Sequence, residues 1–260
     1  MRSLCFHFVA ASLILQSSLS TAQAPQQLRR PPDGGMRGVL ISILIPSLPR
    51  EPFSAVVNTE WTRQLADGTT ITLKNHRAIA RDHDGRIFQE RRLLVPDDGK
   101  HTSEITQIEI SDPIAHEQYI CVPQDRVCQV EPFTPDPFIP PQTARTASPR
   151  PPGAPVLEDL GTQSISGLET IGIQETATIE TGAVGNNNPI QINREYWYSP
   201  LLGVNLISKV QDPQVGNQNF ELSGIILGEP DAMLFKVPSD SKVIDLRKPP
   251  RVLTPIPNPE

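Results

Sequence analysis

Between residues 53 and 131, short runs of alternating apolar and polar residues are cut by the turn dipeptides Asp67-Gly68 and Asp84-Gly85. No window there sustains a 3.6-residue period over ten or more positions, so helices are excluded as the main element. Asp-Gly supplies the positive φ angles that a tight hairpin requires. Runs 53–65, 69–80, 86–95, 106–112, 117–122 and 127–131 therefore read as strands of an antiparallel meander. In the second run Ile71 and Leu73 take one face and Thr70, Thr72 and Lys74 the other. The same grammar resumes after residue 155, with strands predicted at 157–163, 165–180, 190–198, 204–211 and 220–227. Asp212-Pro213 and Gly216-Asn217 are expected to turn the chain before the last of these. Residues 229–235 read as one short helical turn with Pro230 near its start, and 242–246 as a final edge strand.

Proline divides these runs. The 28 prolines in 260 residues are about twice ordinary usage, and nine of them fall within residues 132–155. Proline fixes φ and donates no ladder hydrogen bond, so this segment reads as an extended linker. The layout expected is a signal segment at 1–22, then an N-terminal arm and apolar strand at 23–52. A first β meander follows at 53–131, the linker at 132–155, a second β half at 156–247 and a proline-rich tail at 248–260. Whether the two halves share one sheet or form a pair is left open. Residues 39–45 (VLISILI) are dense in β-branched side chains and read as a buried strand.

Residues 1–22 have the form of an export signal: Arg2, an apolar stretch from Phe6 to Leu19, and the small-residue pattern Ser20-Thr21-Ala22. Cleavage is expected after Ala22. Cleavage after Ala24 is the competing pattern, although Pro25 would then follow the cut. The expected location is periplasmic or extracellular, with no integral membrane span left after removal of the signal. The 29 acids outnumber the 23 bases, and without a concentrated basic patch nucleic acid is excluded as a partner.

Removal of the signal takes Cys5 and leaves Cys121 and Cys128. These lie symmetrically about the turn Pro123-Gln124-Asp125-Arg126, and an even count in an exported chain favours a disulfide across that hairpin. Zinc is the alternative, but C-x6-C lacks a second pair of ligands. His76, His83, His101 and His116 show no metal spacing. Asp82-His83-Asp84-Gly85 reads as a polar turn, and Ser239-Asp240-Ser241-Lys242 matches S-x-x-K without the helix that motif needs. No catalytic, metal or cofactor residue is assigned. Glu195-Tyr196-Trp197-Tyr198-Ser199-Pro200 gathers three of the few aromatics; Tyr196, Trp197 and Tyr198 form either a ligand wall or core packing.

Several stretches resemble a group of uncharacterised exported bacterial proteins. They are Arg81-Asp82-His83-Asp84-Gly85-Arg86 with Glu90, Ile110-Ser111-Asp112-Pro113, Tyr119 with Pro123, Gly182-Ala183-Val184-Gly185-Asn186, the aromatic cluster, and Glu229-Pro230-Asp231 with Leu234-Phe235. The resemblance spans roughly residues 53–245. In layout the chain is similar to the LolA-like superfamily of periplasmic lipoprotein carriers. That resemblance implies a mostly β fold: a curved antiparallel half-barrel with an apolar concave face covered by helices. The present chain departs in having almost no helix long enough to act as a lid.

The strands on both sides of the linker have one apolar face, as at Ile71 and Leu73, Ile108 and Ile110, and Phe220 and Leu222. A single sheet must cover such a face. The available cover is residues 39–45, the turn around Met233, Leu234 and Phe235, and the linker. An apolar groove is expected between them, and the chain reads as a non-enzymatic protein binding a lipid-like or hydrophobic small molecule. The alternatives are an envelope interaction or scaffold protein and, third, a secreted hydrolase.

Overall fold

The computed structural model describes residues 43–135 and 153–247, all of which belong to one compact unit, Leu28–Pro249. The signal segment, most of the arm and linker, and the tail lie outside the described residues. Thirteen strands form: β1 Phe53–Gln64, β2 Thr70–Arg81, β3 Ile87–Arg92, β4 Val95–Pro96, β5 Ile105–Asp112, β6 Glu117–Val122, β7 Val127–Pro132, β8 Val156–Ile165, β9 Leu168–Ile179, β10 Ile190–Ser199, β11 Val204–Asp212, β12 Gly216–Leu227 and β13 Lys242–Asp245. The helical content described is two 3₁₀ turns, Pro123–Asp125 and Ala232–Phe235.

All thirteen strands lie in one open sheet, in the order β13-β7-β6-β5-β3-β2-β1-β12-β11-β10-β9-β8, with β4 folded back onto β2. So many strands do not stay flat, and the sheet curls as a half-barrel rather than closing. The two meanders are joined where β1 pairs antiparallel with β12, Thr59 facing Phe220 and Trp61 facing Gln218. Among the described residues the one parallel pairing is β13 against β7, along an edge.

Four local expectations need correction. Residues 166 and 167 were expected inside a strand, but Ser166 and Gly167 both have positive φ, 51° and 80°, and turn β8 into β9. Gly216 and Asn217 were expected in a turn, but they open β12 and pair with Asp212 and Gln211. The run expected at 86–95 ends as β3 at Arg92, and Val95 and Pro96 then pair with Lys74 and Leu73 of β2. Residues 43–45, the described part of the predicted apolar strand, form no strand.

A larger correction concerns the faces. Directly paired residues share one face of a sheet. Phe53 faces Arg81, which faces Ile87. The adjacent row runs Ser54, Ala80, Phe88, Ile110, Tyr119 on the opposite side. Phe220 and Leu222 belong with Phe53, whereas Ile108 and Ile110 belong to the other side. The sheet therefore carries two apolar patches on opposite faces. The larger contains Phe53, Val57, Ile79, Leu202, Leu206, Phe220 and Leu222, together with Ile43 and Ile45. The smaller contains Ala80, Phe88 and Ile110, with Leu234 and Phe235 packed on it. Period-2 alternation shows that a strand has an apolar face; it does not show whether two distant strands turn that face the same way.

Candidate functional site

The larger patch is where the sheet meets a segment that is not part of it. Ile43 and Ile45 are buried at 4% and 6% exposure, while Leu44 between them is 68% exposed. The segment thus inserts alternate side chains, as a strand would, without forming a ladder. Its described anchorage lies further along the chain. Ser47 Oγ donates to Gly85 O at 2.9 Å, and Arg50 Nη1 donates to Pro200 O at 3.0 Å. Gly85 is needed there: its φ is +82°, and an added Cβ would lie 3.0 Å from the carbonyl carbon of Leu48.

On the same face but further along β3 and β5, the lining becomes polar and remains buried. Glu109 accepts from Gln89 Nε2 at 2.7 Å, Arg91 Nη2 at 3.1 Å and Gln107 Nε2 at 3.3 Å. Arg77 Nη1 donates to Gln89 Oε1 at 3.4 Å. Burial of the Glu109 carboxylate is tolerable because neighbouring amides engage both of its oxygens and the partly exposed Arg91 supplies a charge.

The three aromatics of β10 divide between the two faces of the sheet, as alternation along a strand predicts. Register places Tyr196 against Ile173 and Tyr198 against Ile171, with Trp197 against Gly172 between them. Tyr196 and Tyr198 share a face and Trp197 takes the other. Burial and the nearby Glu175 carboxylate push the Tyr196 phenol up. Trp197 Nε1 donates to Glu195 Oε1 at 2.7 Å, and Lys209 Nζ reaches the same oxygen at 3.0 Å. Burial opposes ionisation of Glu195, but these two hydrogen bonds and the Lys209 charge outweigh it and hold the carboxyl below its ordinary range. The indole lies over Gly172, where an added Cβ would sit 2.6 Å from its ring. Gly172→Val therefore drives Trp197 off its seat and costs about 1–3 kcal/mol by overpacking. The expected readout is a shifted tryptophan emission and a lower denaturant midpoint; an unchanged spectrum would place the indole elsewhere.

A cavity of about 490 Å³ opens on the face opposite Phe53, beneath the connection from β3 to β5. Its lining includes Asn58, Glu60, Lys74, His76, Asp97 and His101. Lys74 bridges Asp97 at 2.8 Å and Glu60 at 3.0 Å, and these contacts push its ammonium up. His101 is bound to Asp98 at 2.9 Å, while His83 joins Asp84 and Glu229, tying its hairpin to the segment after β12. Among the described residues no three or more His, Cys, Asp or Glu side chains are grouped to hold a metal ion, and no helix is long and apolar enough to cross a membrane. Cys121 and Cys128 face each other across β6 and β7 and are disulfide-bonded.

Residue patterns alone missed Arg77 and Arg81. Their signal was present: both share the parity of Ile71, Leu73 and Ile79 on β2, which places two cations on an apolar face.

No family model matches the chain, and no curated protein matches it. Solved structures do. The MucA/MucB complex of Pseudomonas aeruginosa matches at 12% identity and a TM-score of 0.39, over 75% of this chain and 59% of that one. The chain thus spans about three-fifths of the length of its MucB match. LprF from Mycobacterium bovis matches at 12% identity and a TM-score of 0.30, over 74% of this chain and 90% of that one. A LolA-superfamily protein from Nitrosomonas europaea matches at 8% identity and a TM-score of 0.27, over 73% of this chain and 91% of that one. At such scores, what these proteins bind does not carry over to this chain.

Proposed function

We propose that the chain is an exported, non-enzymatic binding protein that holds an apolar ligand on the Phe53 face of its half-barrel, in the place taken by Ile43 and Ile45. The observation that supports this reading is the manner in which those two side chains occupy the face. They fill an apolar site lined by Phe53, Val57, Leu206, Phe220 and Leu222, and they do so from a segment that pairs with no strand. A site filled by side chains alone is one that an acyl chain or an extended apolar peptide can contest, because the hydrophobic term is indifferent to the covalent source of the apolar surface.

Ile43→Ser with Ile45→Ser weakens the internal occupant by roughly 1.5–3 kcal/mol per side chain. Binding of the apolar fluorophore 1-N-phenylnaphthylamine by the double variant is therefore expected to tighten at least tenfold over the parent chain. Near-ultraviolet circular dichroism checks that the core remains ordered. If neither protein takes up the probe, the binding reading fails. The interaction reading then moves ahead, with β8, paired only with β9, as the edge for an added strand.

A further inference from the structure

Arg81 lies in the middle of the larger apolar patch, and among the described residues no carboxylate offsets its charge. It is fully buried, sits between Phe53 and Ile87 in the paired row, and its guanidinium carbon is 5.2 Å from the centre of the Phe53 ring. Of its five N–H donors, the described contacts use Nη2, which donates to Glu51 O at 2.9 Å and Leu202 O at 2.7 Å. Nε and Nη1 are buried and have no hydrogen-bond partner among the described residues. Among the described residues no carboxylate pairs with Arg81; its titratable neighbours are another cation, Arg50, which opposes its charge, and the Tyr198 phenol, which favours it less strongly. Burial and Arg50 push the guanidinium down to about 10. A buried cation normally has a counter-charge and a full set of acceptors, because an unpaired one is expensive. Arg86, one hairpin away, shows the ordinary arrangement: its Nε is bonded to the buried Asp82 carboxylate.

We infer that Arg81 is the seat for the oxyanion head of a single-chain amphiphile whose tail takes the place of Ile43 and Ile45. The head supplies the missing negative charge and acceptor oxygens for Nε and Nη1. The tail covers Phe53, Val57 and Leu222, which already share the patch. Both effects act only when residues 43–45 move aside, so the inference rests on the binding reading above and specifies its ligand class. An apolar face needs no arginine to bind a neutral chain. A cation there favours a ligand with an anionic end, and a hydrogen bond to an ionised partner is about twice as strong as a neutral one.

The test measures displacement of 1-N-phenylnaphthylamine from the full chain by dodecanoate, 1-dodecanol and acetate. In a purely apolar groove dodecanol binds more tightly, since the carboxylate must be dehydrated. The expected result is the reverse: dodecanoate at least tenfold tighter than dodecanol, with acetate ineffective. In Arg81→Met the preference is lost while dodecanol affinity stays within about twofold. Arg81→Lys, which keeps the charge but lacks the planar fork, lowers the ratio several-fold and serves if the methionine variant does not fold. Equal binding of the two long-chain compounds, or tighter binding of dodecanol, overturns the anion seat and leaves the apolar site standing. Absence of binding by both overturns the seat together with the site. Displacement by acetate assigns Arg81 to a free anion and overturns the amphiphile. An unaltered ratio in a folded Arg81 variant removes Arg81 from recognition.

Discussion

Phe220→Ala is expected to lower the unfolding free energy by about 3–5 kcal/mol, the range for deleting a phenylalanine side chain in a packed core. Phe220 is fully buried and faces Thr59 across the β1–β12 seam. It packs in the patch that Ile43 and Ile45 complete. The cavity left behind cannot be filled from the sheet, because neighbouring strands are held in register by their ladders. Urea titration followed by far-ultraviolet circular dichroism measures the loss as a shift in midpoint at unchanged slope. Glu221→Ala, one residue on and directed to the opposite face, is the control and should cost under about 0.5 kcal/mol. A loss at Phe220 below about 1 kcal/mol would mean that the patch is not a packed core.

Removing the disulfide has the second largest expected effect. Cys121→Ser with Cys128→Ser should cost about 2–3 kcal/mol in the chain-entropy model for so short a loop. Both positions are almost fully buried, so the serine hydroxyls add a desolvation penalty in the same direction. The bond closes the β6–β7 hairpin, whose turn holds Arg126 at φ 51°, and β7 in turn carries the edge strand β13. Thermal unfolding of the parent and double variant gives the difference. Labelling of the denatured, unreduced parent chain should find neither Cys121 nor Cys128 free. Two labelled thiols at those positions would exclude the bond.

Much of the local fold was legible because its signals are local. Asp67-Gly68 and Asp84-Gly85 mark their hairpins through backbone conformations that few residues adopt, and Cys121 and Cys128 were placed by counting outward from one turn. Ser166-Gly167 escaped because it interrupts a run that alternates acceptably on both sides, although Ser-Gly is a turn dipeptide and Gly167 takes its positive φ at no steric cost. The turn before β12 is read one pair too long, because Gly216-Asn217 offers a second compatible turn signal just after the observed turn at 213–215. The site was less legible than the strands. That Arg81 has the parity of Ile79 can be read from the sequence; that its guanidinium meets two backbone carbonyls and no carboxylate depends on Glu51 and Leu202, 30 and 121 residues away. The opposite facing of Ile110 and Phe220 is equally non-local, since it follows from the register of β2 against both β1 and β3.

The seam between β1 and β12 also determines when this chain can finish folding. β1 finds β2 through a hairpin as soon as both exist, but its other edge must wait for residues near 217–227, more than 150 positions later. Until then a twelve-residue strand bearing Phe53, Ala55 and Val57 has an open side, and the Phe53 patch lacks half its lining. Closure over such a separation is slow compared with hairpin formation. The interval exposes a β-branched edge able to pair with other chains. A chain threaded from its N-terminus through a narrow exit would complete its Phe53 face last, with the arrival of β11 and β12. Substitutions in those strands would then change the yield of folded protein well before they changed the structure of the finished half-barrel.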